Sequence, residues 1–158
     1  MNKLIVLATA ADAQLEPEPI PADWILAGTP VARAKKLAKS RDFTSYIMVW
    51  DCTPGRFNWH YNKDETLVVV SGEVFISDGK SEERRLGPGD FAYFPGGTSA
   101  TWRVTSHLRK VAVVRETLPL PLGFAIRACK GLLRRAGIGA KSPLMIAMAI
   151  CTLADHAI

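Results

Sequence analysis

The fold is decided by the stretch Trp50-Asp51-Cys52-Thr53-Pro54-Gly55-Arg56-Phe57-Asn58-Trp59-His60-Tyr61. In its second half polar residues alternate with three aromatic ones, Phe57, Trp59 and Tyr61. Side chains of a strand point alternately to its two faces, so this period of two predicts a β-strand whose rings face a core. A second apolar strand follows over residues 64–72, and it carries the carboxylate of Glu65 near its start. A charge in that position needs a partner.

Tight turns separate the extended segments around this stretch, and they recur about every ten residues. The turn sequences are Thr53-Pro54-Gly55-Arg56, Ser71-Gly72, Asp78-Gly79 and Gly87-Pro88-Gly89-Asp90. The first has proline and glycine where a type II turn requires them. Residues 100–104 alternate clearly, with Trp102 on the apolar face, and residues 108–115 form a last strand with Lys110 and Ala112 on one face. This rhythm predicts an antiparallel sandwich or barrel rather than a parallel sheet.

The composition indicates one ordinary domain with appendages. The chain has 158 residues, of which 48% are hydrophobic, and its net charge is +5. Most of the excess charge lies in residues 119–158, which contain five basic side chains and one acidic one. No nucleic-acid-binding motif and no mixture of basic and aromatic residues is present, so nucleic acid is not expected as a partner. Three widely spaced cysteines argue against disulfides or a zinc knuckle and favour a reducing, cytoplasmic location.

The N-terminal quarter of the chain combines several short patterns. Residues 1–13 faintly imitate a secretory signal, but the segment is shorter than the roughly 15–30 residues that such signals need. We expect a first edge strand or a partner-clasping arm there. Residues 14–21 are acidic and rich in proline, so they should cross the surface as an extended strap. Residues 31–40 favour either one or two helical turns or an exposed basic connection. We assign residues 1–41 to this N-terminal strand, strap and connection.

The C-terminal segment, residues 118–158, changes character. Residues 124–136 have a helical period, with an apolar stripe and a basic face of Arg127, Lys130, Arg134 and Arg135. Residues 143–154 are apolar nearly all round, yet they are too few for the roughly 20 that a bilayer-spanning helix requires. We expect two helices packed on the barrel or on a second copy, in preference to peripheral contact with a membrane.

At this point the sequence resembles a known family. The similarity covers about residues 42–116, and it lies in the ordered motifs Trp50-Asp51-Cys52-Thr53-Pro54-Gly55-x-Phe57-x-Trp59-x-Tyr61-x-x-Asp64-Glu65, Gly72-Glu73-Val74, Pro88-Gly89-Asp90, Phe94-Pro95-x-Gly97, Trp102-x-Val104 and Arg109-Lys110. Together they look like the cupin subfamily related to ureidoglycine aminohydrolase and the ethanolamine-utilisation cupins. The resemblance implies one double-stranded β-helix barrel, or jelly roll, over residues 42–117. It also implies a homodimer paired through edge strands.

Metal-binding cupins carry two motifs, and this chain keeps each only in part. From the first motif it retains Glu65, followed after six residues by Gly72. From the second it retains Gly89, Pro95 and Gly97. The final histidine of the second motif is replaced by Ala100. Because divalent ions want three or four nitrogen, oxygen or sulfur ligands, this departure puts the metal in doubt.

The two histidine positions of the first motif fall either on Asn58 and His60 or on Trp59 and Tyr61, since the family tolerates both spacings. Turning Asn58 and His60 inward would expose the aromatic residues of the same strand to water. We therefore predict that Trp59 and Tyr61 face the interior. The other register would offer a weak divalent-metal site of Asn58, His60 and Glu65.

Without a metal, a buried Glu65 needs a positive neighbour, because an isolated buried carboxylate costs several kcal/mol. Lys110 is the candidate, and the pair could also act as a general acid and base. We predict a pocket for a small polar metabolite, with no cofactor favoured, lined by Trp59, Tyr61, Glu65, Trp102 and Lys110. One alternative is a metal-dependent enzyme similar to ureidoglycine aminohydrolase. The other is a structural module that acts through its basic C-terminal helix, and the sequence leaves open whether the protein is an enzyme.

Overall fold

A computed structural model of the chain describes residues 5–135, apart from the side chain of Leu133. The chain divides after Thr117 into two units. Eleven strands make up the regular structure of the first unit within the described residues. They are β1 (Glu16–Pro17), β2 (Ile25–Ala27), β3 (Ala32–Lys39), β4 (Ser45–Cys52), β5 (Gly55–His60), β6 (Asp64–Ser71), β7 (Val74–Ser77), β8 (Arg84–Leu86), β9 (Phe91–Phe94), β10 (Ser99–Val104) and β11 (Leu108–Arg115), with a 3-10 turn at Ala22–Trp24.

The strands form two antiparallel sheets. One has six strands in the order β1-β3-β4-β11-β6-β9, and the other has five in the order β2-β5-β10-β7-β8. Consecutive strands β4 and β5 lie in different sheets, and so do β6 and β7 and also β10 and β11. The chain therefore winds back and forth between two facing layers, as in a jelly roll. The predicted fold class is confirmed.

The core fills the space between the two sheets, and the alternation seen in the sequence sets its composition. Phe57 on β5 and Trp102 on β10 are paired across neighbouring strands, and both are buried. Every second residue of β11 is buried, beginning with Leu108 and including Lys110 and Ala112. Each fully buried large apolar side chain contributes about 1.5–3 kcal/mol to folding relative to an exposed one. A slip of one residue would turn all of these outward, so burial fixes the register.

The segment at residues 31–40 is neither of the two forms that we expected. Most of it is β3, which pairs with β1 on one side and with β4 on the other. Ala32 points into the core, whereas the lysines of β3 stay at the surface. The sequence did not predict this strand because its outward face is strongly basic and its inward face is made of small residues. Residues 1–41 thus supply three strands to the two sheets.

The N-terminal strap is extended, as predicted. Its residues Glu16–Pro17 form the edge strand β1, and the Glu18 amide donates a hydrogen bond to the Ala32 carbonyl oxygen. The first edge strand therefore lies in the strap and not in residues 5–13, where no strand is present. Residues 1–4 lie outside the described part of the chain.

Pro54 and Gly55, at the start of β5, do not form the type II turn that we predicted. That turn requires a positive φ at Gly55, and Gly55 is not among the glycines with positive φ. The chain crosses here from one sheet to the other instead. Gly55 is needed for space, because a Cβ at this position would lie 2.7 Å from the Cβ of Pro30.

The second unit contains helix α1, Leu120–Arg135. It begins four residues before the predicted start. Pro121 is tolerated there because it lies in the first turn, where a missing N–H breaks no intrahelical hydrogen bond. The predicted apolar segment at residues 143–154 is outside the described residues. Within the described part of the chain, no helix is both long enough and apolar enough to cross a bilayer.

Gly72 offers a sharp test of the turn between β6 and β7. Its φ is +76°, and an added Cβ would lie 2.0 Å from the His107 carbonyl oxygen. Gly79 has the same φ of +76°, but nothing lies within 4 Å of its Cβ position. We expect Gly79→Ala to cost about 1–2 kcal/mol of unfolding free energy from φ strain alone. Gly72→Ala should cost about 3 kcal/mol or more because the backbone must also move. Urea denaturation measures both, and equal losses would contradict the close approach.

Candidate functional site

The buried ion pair between Glu65 and Lys110 forms the floor of the candidate site. Glu65 is the second residue of β6 and lies opposite Val114 of β11, whereas Lys110 lies four residues earlier on β11. The long lysine side chain runs along the inside of the sheet, and its Nζ lies 2.5 Å from Oε1 of Glu65. The side chain of Lys110 is only 5% exposed, and that of Glu65 is only 10% exposed. The pairing predicted from the sequence is confirmed.

Three tryptophans surround the ammonium group of Lys110. Its Nζ lies 4.6 Å from the ring centroid of Trp102, 4.9 Å from that of Trp50 and 6.0 Å from that of Trp59. Indole faces attract a cation through their quadrupole, and the effect is largest where water is excluded. The rings therefore offset part of the cost of burying the ammonium group. Sequence reasoning missed Trp50, although the alternation of β4 places it on the inward face with Met48 and Cys52.

Tyr61 is held from both sides by Trp102 and Phe94. The Trp102 Nε1–H donates a hydrogen bond of 3.0 Å to the Tyr61 hydroxyl oxygen. The Tyr61 ring stacks on Phe94 with centroids 4.4 Å apart and planes inclined by 8°. Burial raises the pKa of the Tyr61 phenol, and the nearby charge of Glu65 raises it further. The hydroxyl therefore stays protonated at neutral pH.

A cavity of about 200 Å³ opens above the ion pair. The residues that line it come from both sheets and from the N-terminal strap: Glu18, Trp24, Tyr46, Met48, Trp50, Trp59, His60, Tyr61, Asn62, Lys63, Glu65, Lys110 and Val114. Four of the five predicted lining residues are among them. Trp102 is not, because it lies behind Lys110 and Tyr61 and is only 1% exposed. Glu18 and Trp24 could not be found from the sequence, since only the path of the strap and of the 3-10 turn after it brings them to the cavity.

Asn58 and His60 lie on the other face of β5, as the amphipathic pattern predicted. The Asn58 side-chain oxygen accepts a hydrogen bond of 2.9 Å from the Thr101 hydroxyl. His60 is exposed, its Nδ1 lies 2.7 Å from Oγ of Ser99, and its ring packs edge-on against Trp24. His60 therefore borders the cavity at its mouth and stands apart from the buried pair.

The residues present do not fit a divalent metal ion. Ala100 occupies the position where metal-binding cupins have a histidine, and Glu65 already binds an ammonium group. Within residues 5–135, no group of three His, Cys, Asp or Glu side chains could hold an ion. The positive charge of Lys110 beside Glu65 would also repel a second cation.

The buried thiol of Cys52 makes the stability of the barrel fall at alkaline pH. It is fully buried, and burial together with the charge of Asp51 raises the pKa of its thiol to about 12. An unfolded cysteine has a pKa of about 8.5. The contribution of Cys52 is thus fully present below about pH 8.5 and is lost as the pH rises through 12, because only the unfolded chain releases the proton.

We therefore expect the unfolding free energy to fall with rising pH above about 8.5, with Cys52 contributing at most about 1.4 kcal/mol per pH unit. Urea denaturation of the wild type and of Cys52→Ala at several pH values between 8 and 10 measures the two slopes. The variant should show the shallower slope. Parallel slopes would mean that the thiol ionises equally well in the folded protein.

Two facing antiparallel sheets around an interior site define a jelly-roll barrel of the cupin class. Residues 39–112, just under half of the chain, match the family model described as the EutQ-like cupin domain, and this part of the chain is therefore similar to that cupin domain. No curated protein matches the sequence.

Solved structures support the same fold. A protein of unknown function of the DUF861 family from Pseudomonas syringae is 25% identical, with a TM-score of 0.60 over 65% of this chain and 45% of that one. This chain therefore spans less than half the length of that relative. A protein of unknown function from Vibrio parahaemolyticus is 14% identical, with a TM-score of 0.50 over 64% of this chain and 98% of that one.

Proposed function

We propose that this cupin binds a small polar metabolite in the cavity above Glu65 and Lys110, and that it does so without a metal ion. The observation that carries the proposal is a charged pair, nearly removed from water, that lines a cavity of about 200 Å³. A pair serving only to hold the barrel together would be expected in a close-packed region, where apolar residues of similar volume do as well or better.

The hydrogen-bonding capacity of the pair supports a ligand. An ammonium group has three N–H donors, and a carboxylate has two acceptor oxygens. Among residues 5–135, the Lys110 to Glu65 bond is the only hydrogen bond that either side chain makes. Two donors and one oxygen are therefore left for a molecule in the cavity, and the indole walls of Trp24 and Trp59 offer stacking surfaces.

Screening the protein against a library of small polar metabolites tests the proposal, with binding detected by intrinsic tryptophan fluorescence. All four tryptophans of the chain lie in or next to the site, so an occupant should change their emission. Binding should weaken at least about tenfold in Glu65→Gln and Lys110→Met, because each removes one side of the charged contact. Glu73→Gln is the matched control, since Glu73 pairs with Arg85 at the surface. Binding that is unaffected by both site variants would overturn the proposal.

The metal-dependent alternative, an enzyme similar to ureidoglycine aminohydrolase, is tested by elemental analysis of the purified protein after growth in metal-replete medium. We expect no stoichiometric manganese, zinc, nickel or iron, because the donor set around Glu65 is incomplete. A metal that is bound at one equivalent and is lost in Glu65→Gln would replace our proposal with this alternative.

A further inference from the structure

The net charge of the cavity floor is zero, and this limits what the site can bind. Lys110 and Glu65 lie 2.5 Å apart, and the pair sums to zero whichever of the two holds the proton. The remaining charged groups of the lining, Glu18 and Lys63, lie nearer the solvent, and Lys63 is paired with Glu116. Charges at an exposed mouth are screened by water and salt, so the buried pair dominates the selection of a ligand.

A ligand with a net charge would leave an uncompensated charge beside the pair in a region nearly free of water. Such a charge costs several kcal/mol, which the ligand's own contacts would have to offset. A neutral ligand avoids this cost. The indole rings do not change the balance, because their attraction for a cation is already directed at Lys110.

The free hydrogen-bonding groups specify the ligand further. Lys110 offers its remaining N–H donors and Glu65 offers its second carboxylate oxygen, and the hydrogen bond between Nζ and Oε1 holds the two groups side by side. A ligand that satisfies both must carry an acceptor and a donor close together, on the same carbon or on adjacent carbons. A primary carboxamide has this arrangement, and so does a pair of adjacent hydroxyl groups.

We propose, resting on the binding function above, that the Glu65–Lys110 pair selects neutral ligands with adjacent donor and acceptor groups, and rejects carboxylates and cations of the same shape. The two residues determine specificity because the net charge of the pair is zero. Changing either one alone should therefore change which charge the cavity prefers.

Three probes of nearly equal shape test the charge rule: neutral benzamide, anionic benzoate and cationic benzamidine. Each has a flat ring for the tryptophan walls. In the wild type, isothermal titration calorimetry should show benzamide binding at least about tenfold more tightly than either charged probe. Glu65→Gln leaves the cation of Lys110 and should make benzoate the preferred probe. Lys110→Met leaves the carboxylate of Glu65 and should make benzamidine preferred.

The double variant Glu65→Gln/Lys110→Met is the matched control, because it restores a neutral floor and should again prefer benzamide. If a single variant fails to fold, the ranking in the wild type and in the double variant still decides the question. Equal affinities of the wild type for the three probes, or a ranking that neither single substitution changes, would overturn the charge rule while leaving the binding function in place. Failure of benzamide to bind the wild type would also overturn the charge rule, whereas the binding function is decided separately by the metabolite screen described above.

Discussion

Replacing Lys110 with methionine should destabilise the barrel by about 3–5 kcal/mol, because the substitution leaves the Glu65 carboxylate buried and unpaired. Proteins of this size are typically stable by about 5–15 kcal/mol, so the loss would be a large share of the total. Methionine keeps most of the lysine's volume, so the packing against Trp50 and Trp102 changes little. Urea denaturation followed by far-UV circular dichroism measures the loss.

The chain supplies its own control for this experiment. Lys63 and Glu116 also lie 2.5 Å apart, but their side chains are 31% and 47% exposed. Lys63→Met should therefore cost less than about 1 kcal/mol, as exposed ion pairs usually do. Adding Glu65→Gln to Lys110→Met should recover part of the lost stability, since the buried charge is removed with its partner. Equal losses for Lys63→Met and Lys110→Met would show that the interior pair is solvated.

The second large effect is expected at Trp102. Truncating this residue to alanine should cost about 3–5 kcal/mol, because a large cavity opens in the core. Trp102 stacks on Phe57 with ring centroids 6.1 Å apart, and it also holds Tyr61 and lies behind Lys110. Near-UV circular dichroism should lose intensity as the coupled aromatic rings are released.

Two further variants separate the contributions of Trp102. Trp102→Phe keeps a ring against Phe57 but removes the hydrogen bond to Tyr61, so it should cost less than the alanine variant, with about 0.5–1.5 kcal/mol from the lost bond. Phe91→Ala is the control, because Phe91 is 72% exposed, and the change should stay within about 0.5 kcal/mol. If Trp102→Ala is as mild as Phe91→Ala, the ring cluster does not stabilise the core.

The sequence predicted most of the barrel because its strands alternate strongly. Phe57 on β5, Tyr61 directly after β5 and Trp102 on β10 were predicted to be buried from the period of the sequence alone. Alternation did not predict β3, because its inward residues are too small to show an apolar face among its lysines. The prediction was also wrong at Gly55, where proline followed by glycine suggested a turn type, although the neighbouring Pro30 is what requires the glycine.

By itself the sequence determined an antiparallel sandwich or barrel, because alternation is a local fact, and the family resemblance narrowed this to a jelly roll. The sequence also made Lys110 the candidate partner of Glu65, because an isolated buried charge is costly. Only the tertiary structure decided that Trp50 completes the ring cage around Lys110, that Glu18 of the N-terminal strap and Trp24 of the following 3-10 turn line the cavity, and that Trp102 lies behind it. The physical reason is that period reports which face of a strand is buried, whereas the distances between faces depend on how two twisted sheets pack together.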